Sequence, residues 1–199
     1  MSDIYLLLTP ILVLGVLALS GFVGCDRIVQ IDEFEHVPLV VDENLMDPRS
    51  DFTGWVGMAV TPHPDDRPVF FIGRFCRAGN NQVHNLKIVD AATGLDVPDS
   101  SATIDLAGQP ANQYAWVSIL PGPILKAGSK YYVLSSETSG GDEFLDFTTT
   151  VTLHQAAPFL VTSAAFSDPL NDPINLYKEM GGANQSYGPV NLKYAARVD

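Results

Sequence analysis

Four histidines, His36, His63, His84 and His154, are the side chains best suited to moving protons or holding a metal, and they are scattered. None shares the i, i+4 spacing that puts two imidazoles on one helical face. No Gly-x-Ser-x-Gly elbow, phosphate loop or dinucleotide fingerprint accompanies them. Four hydrogen-bonded or exposed histidines are therefore expected, in a chain with no catalytic set and no cofactor. The densest acidic cluster is Asp142 and Glu143, just after Gly140 and Gly141, with Asp146 close behind. Hard carboxylate oxygens on a glycine turn are calcium chemistry. The spacing fits no standard loop, so a solvated turn competes with the calcium reading. Asp168, Asn171 and Asp172 form a second, weaker loop of that kind. Trp55, Tyr114, Trp116, Tyr131, Tyr132 and Tyr187 could stack against the apolar faces of sugars, with Trp116 the candidate ligand-stacking ring. Their positions among other apolar residues equally suit a core.

Composition narrows the classes. The 199 residues carry 23 acids against 11 bases, a formal charge of −12, with no basic cluster. Nucleic-acid binding needs Lys and Arg to neutralise phosphates, so it is excluded as an expectation. Hydrophobic residues make up 46% and charged residues 17%, too apolar for intrinsic disorder. Fourteen Pro and sixteen Gly imply many turns.

Residues 4–24 hold no charge. At helical rise the run spans about 31 Å, matching a hydrocarbon core of about 30 Å. One reading is an uncleaved single-pass transmembrane helix, in which Gly15, Ala18 and Gly21 offer small residues for close packing on neighbouring helices. A lipoprotein signal is another: Phe22, Val23 and Gly24 lead to Cys25, the candidate lipidation site. A cleaved leader is the third, although it would want a basic start and a shorter apolar stretch. Arg27 alone informs the positive-inside rule. The leader-like position points to a domain on the extracytoplasmic side. The two cysteines, Cys25 and Cys76, suggest no disulfide framework or metal spacing.

The segment 26–54 carries eight acids and two bases, interleaved with aliphatics such as Ile28, Val37 and Val41. It reads as an acidic extended stem that docks on a partner or on its own domain, with a short strand at 38–41. From residue 55 to 199, short apolar runs recur at 55–61, 69–77, 83–90, 102–107, 113–120, 130–136, 144–153, 159–166 and 190–195, separated by Gly, Pro, Asn and Asp turns. Leu86 and Ile88 alternate with Asn85 and Lys87, and Ala115, Val117 and Ile119 alternate with Trp116 and Ser118. Period two marks half-buried strands. Only 173–180 suggests a helical turn or two. The expected fold is all-β: an antiparallel β-sandwich, jelly-roll-like, preceded by one transmembrane helix.

The stretches at 72–80, 86–94 and 125–135, with Thr93-Gly94 as a turn and Ala127-Gly128-Ser129-Lys130-Tyr131-Tyr132-Val133 opening a strand, resemble uncharacterised bacterial extracellular jelly-roll-like β-sandwich modules over about residues 54–195. The resemblance implies a secreted or anchored bacterial protein and carries over no site residues. Two functional expectations result. The first is a non-catalytic, single-pass anchored accessory subunit whose sandwich and stem bind and stabilise a larger membrane protein complex in the bilayer, respiratory or photosynthetic. The second is a cell-surface glycan-binding or adhesive module.

Overall fold

The computed structural model describes residues 34–43, 47–167, 176–188 and 190–197. They all lie in the compact unit Asp32–Asp199. Among them every regular element is a strand. In chain order these are β1 (Phe34–Pro38), β2 (Val40–Glu43), β3 (Pro48–Arg49), β4 (Gly54–Pro62), β5 (Arg67–Cys76), β6 (Val83–Asp90), β7 (Ala102–Asp105) and β8 (Gln113–Ser118). They continue as β9 (Ile124–Leu125), β10 (Tyr131–Glu137), β11 (Phe144–Leu145), β12 (Thr149–Leu153), β13 (Phe159–Ser167), β14 (Lys178–Met180), β15 (Gln185–Ser186) and β16 (Val190–Arg197).

Two principal sheets result, one ordered β1-β16-β5-β8 with β9 also on β5, the other β14-β13-β4-β10-β6-β7. The described strand pairs are antiparallel throughout. Period-two patterning sets the inner faces. Met58, Val60, Leu86, Ile88, Val133 and Val161 of the second sheet meet Val69, Ile72, Cys76, Ala115, Leu192 and Tyr194 of the first in one buried cluster. Each fully buried aliphatic side chain contributes about 1.5–3 kcal/mol relative to exposure. Val89 follows Ile88 and is also fully buried. The second sheet is covered on its other face too, where Ala59, Val89, Tyr132, Leu134 and Ala165 pack with Trp55 and Tyr177.

The acidic stem contributes three strands rather than one, the last of them β3 on β11. β1 pairs with β16, β2 pairs with β12, and the chain breaks between them at the fully buried Leu39. The Asn191 side chain holds the arm in place. Its amide oxygen accepts from the Val40 N–H at 3.0 Å and its amide nitrogen donates to the Val40 carbonyl at 2.8 Å. The helical turn expected within 173–180 is corrected at its end, since Lys178, Glu179 and Met180 form β14 against β13. Pairing on an edge outweighs the weak helical pattern of three residues. Among the described residues no helix is long and apolar enough to cross a membrane. The uncharged run 4–24, with Gly15, Ala18, Gly21 and the neighbouring Cys25, lies outside the described residues, as do Asp168, Asn171 and Asp172.

Candidate functional site

Alternation on two neighbouring strands builds an aromatic surface on the outer face of the first sheet. In β8, Ala115 and Val117 turn toward the core, so Tyr114 and Trp116 must turn away from it. In β5, Ile72 and Cys76 are core residues, leaving Gly73 and Phe75 on the outer side. The register places Gly73 opposite Trp116 and Phe75 opposite Tyr114. The Phe75 and Tyr114 rings pack edge-on with centroids 5.3 Å apart, and those of Tyr114 and Trp116 lie 5.4 Å apart. A side chain at residue 73 would collide with the indole, whose Cε3 lies 2.6 Å from where a Cβ would sit. Lys193 of β16 brings its Nζ to 4.5 Å from the indole centroid. Trp116 is thus laid on the sheet and held there, half-buried.

The arm formed by residues 38–42 faces this row of rings across an open groove of about 490 Å3. That volume falls within the range of about 300–1,000 Å3 typical of small-molecule sites. Pro38, Val40 and Val41 line the arm side; Phe75, Tyr114 and Trp116 line the sheet side. Asn112, Gln113 and Asp42 supply polar edges. Asn112 takes a left-handed turn, φ 61°, at the entry to β8, and asparagine is among the residues that tolerate it. The Tyr114 hydroxyl is buried and has no hydrogen-bond partner. Buried polar groups are rarely left so.

The other rings singled out in the sequence go elsewhere. Tyr131, Tyr132 and Tyr187 are buried. Trp55 lies on the second sheet with Lys87 Nζ 4.3 Å from its ring centroid. The Tyr132 hydroxyl donates to Glu179 and is pushed up to about 12 by burial and by that carboxylate.

The three carboxylates expected at a calcium loop each face a different partner. Asp142 accepts from the Asn81 and Gln82 N–H groups and lies 3.0 Å from His84 Nε2. Glu143 pairs with Arg77 at 3.0 Å, and Asp146 with Arg49 at 3.2 Å. Among the described residues no three His, Cys, Asp or Glu side chains converge as a metal-holding group. The histidines stay apart as well: His36 packs on Phe70 and Phe71, and His154 lies near Tyr194. The Cys76 thiol is buried, which raises its pKa.

Asp142 belongs instead to a buried ionic network. Arg74, wholly buried, donates from Nε and Nη2 to the two carboxylate oxygens of Glu137 at 3.2 and 2.9 Å. The Ser135 hydroxyl donates to the same carboxylate at 2.8 Å. His84 lies beside it, Nδ1 2.7 Å from the Ser136 carbonyl and Nε2 on Asp142. A lone arginine inside the apolar run Phe70-Phe71-Ile72-Gly73-Arg74-Phe75 was the sequence signal for this network. Arg74 and Glu137 join β5 to β10, so the network ties one principal sheet to the other.

Burial pushes the Asp142 carboxyl up, but the Asn81 and Gln82 N–H groups, His84 and Arg74 together hold it below the usual carboxylate range. A folded-state pKa below the unfolded one stabilises the fold above the unfolded pKa, about 3.9, and that contribution is lost as pH falls through the folded value. Glu179, exposed on β14 but bonded by Lys130, Ser163 and Tyr132, acts in the same direction. We expect the urea midpoint to fall between pH 5 and pH 3, and to fall less steeply in Asp142→Asn. Equal slopes would remove Asp142 from the account of acid sensitivity.

The chain matches no family model, no curated protein and no solved structure.

Proposed function

We propose that this chain is a non-catalytic binding module held at a membrane on the extracytoplasmic side, and that its recognition surface is the aromatic groove between the 38–42 arm and β8. The anchor is the uncharged run 4–24, and the body is a jelly-roll-like sandwich. The chain's repeated passage between the two principal sheets, from β4 to β5 to β6 and later from β13 and β14 to β16, supports that description. The observation that carries the reading is Trp116, fixed across Gly73 with Tyr114 and Phe75 beside it in a groove with polar edges. Among the described lining residues Asp42 is the one carboxylate, whereas glycoside hydrolysis uses a pair. That favours capture over cleavage.

Truncating a tryptophan at the centre of a binding surface costs about 2 kcal/mol where it is a hot spot, near 30-fold in affinity. We expect full-length Trp116→Ala, in mild detergent, to lose about 30-fold in co-sedimentation with envelope fractions of the source cells, with its melting temperature within a few degrees of the parent. Undiminished binding would move recognition off the groove. A second reading, an accessory subunit of a larger membrane protein complex, draws on Gly15, Ala18 and Gly21, small residues that let helices approach closely in lipid. It predicts co-migration with that complex after gentle solubilisation, independent of Trp116.

A further inference from the structure

Resting on that reading of the groove, we propose that its ligand is a chain of neutral pyranose sugars, stacked on Trp116 and Tyr114 and hydrogen-bonded along the edges by Asn112, Gln113 and Asp42. A pyranose ring is two-sided: its axial C–H groups make apolar faces, and its hydroxyls ring the equator. A site that fits it needs aromatic rings with amides and carboxylates at the margin, and the lining supplies these, with Tyr114 and Trp116 tilted by 35° to each other. The rings lie along one strand, Tyr114 and Trp116 two residues apart with centroids 5.4 Å from each other, so successive contacts follow a chain rather than enclose a single small molecule.

Charge decides between partners. The described lining carries one side chain charged at neutral pH, Asp42, the Lys193 ammonium packs on the indole, and the whole chain has a formal charge of −12. An acidic glycan or a nucleic acid would meet repulsion in such a field. A neutral sugar would not.

The site is also prepared in advance. Gly73 leaves room for the indole, Lys193 packs on it, and Asn191 holds the opposite arm through both hydrogen bonds to Val40. Little ordering remains to be done on binding, which favours affinity.

The experiment uses the full chain in mild detergent, with a printed array of neutral and acidic oligosaccharides and with envelope fractions pretreated with periodate or with protease. Periodate cleaves vicinal diols and so destroys sugars; protease removes protein partners. The expected result is binding to at least one neutral series and to none of the acidic ones, with envelope binding lost after periodate and kept after protease. Trp116→Ala is expected to lose about 30-fold. Envelope binding that needs Trp116 but is lost to protease and survives periodate would keep the groove as the binding surface and overturn the sugar. Preference for acidic glycans would also overturn it. Array and envelope binding that ignore Trp116 would overturn the groove itself.

Discussion

Glu137→Ala is expected to destabilise the fold by about 3–5 kcal/mol, the cost of leaving a buried charge without its partner. Arg74 has no exposed surface, and its side chain is 0% accessible against 1% for Glu137. Two of its donors reach the carboxylate, and two more reach the Phe75 and Glu143 carbonyls at 3.2 and 3.4 Å. Those neutral acceptors, with the Asp142 carboxylate already bonded to two N–H groups and His84, do not replace the lost two-pronged contact. Domains of this size hold about 5–15 kcal/mol in total, so a large share of the stability would go. The double change Arg74→Met with Glu137→Leu removes both charges, and replacing a buried pair by apolar groups is often neutral or better. It should recover most of the loss, a coupling readable as a double-mutant cycle from urea midpoints. A loss below about 1 kcal/mol for Glu137→Ala would mean that water reaches Arg74.

Gly57→Ala is the second large effect. Gly57 lies mid-strand in β4, opposite Leu134 of β10 and Ala165 of β13. An added Cβ would overlap the Val133 carbonyl oxygen and come within 2.9 Å of Val190 Cγ2. The first obstacle is backbone in the neighbouring central strand, which cannot rotate away. Overpacking costs about 1–3 kcal/mol where side chains can adjust, and more is expected here. Gly94→Ala is the control: φ is +70°, nothing lies within 4 Å of the added Cβ, and only the left-handed penalty of about 1–2 kcal/mol applies. Calorimetric melting should rank Gly57→Ala well below Gly94→Ala. The reverse order would mean that β4 is free to shift against β10.

Local patterning revealed the strands because the chain after residue 54 alternates where one face is buried. The runs at 83–90 and 159–166 reappear as β6 and β13 nearly residue for residue. The arm was harder to read. Glu35, Asp42 and Glu43 interrupt its apolar residues, and β1 lies at a sheet edge where one side has no strand to pair with. β14 is three residues long and owes its existence to β13, so no local signal marks it. For the site, the outward position of Trp116 was visible from Ala115 and Val117 on either side. Its meaning was not, because the facing Gly73 is set by pairing between strands more than forty residues apart. The same distance hid the network: Arg74 meets Glu137 across 63 residues and His84 meets Asp142 across 58. Asp142 looked like a calcium ligand in sequence because its tertiary partners, two N–H groups and an imidazole, leave no trace nearby.

The two tryptophans give the central claim its most direct test. Trp116 sits in the groove on the first sheet, and Trp55 lies on the second sheet beneath Lys87. In a proton–nitrogen correlation spectrum of nitrogen-15-labelled protein, titrated with the strongest neutral oligosaccharide from the array, the Trp116 indole N–H signal should move in a saturable way while the Trp55 signal stays fixed. Movement of the Trp55 signal alone, or saturable binding that leaves both indoles unmoved, would contradict the groove as the site of recognition.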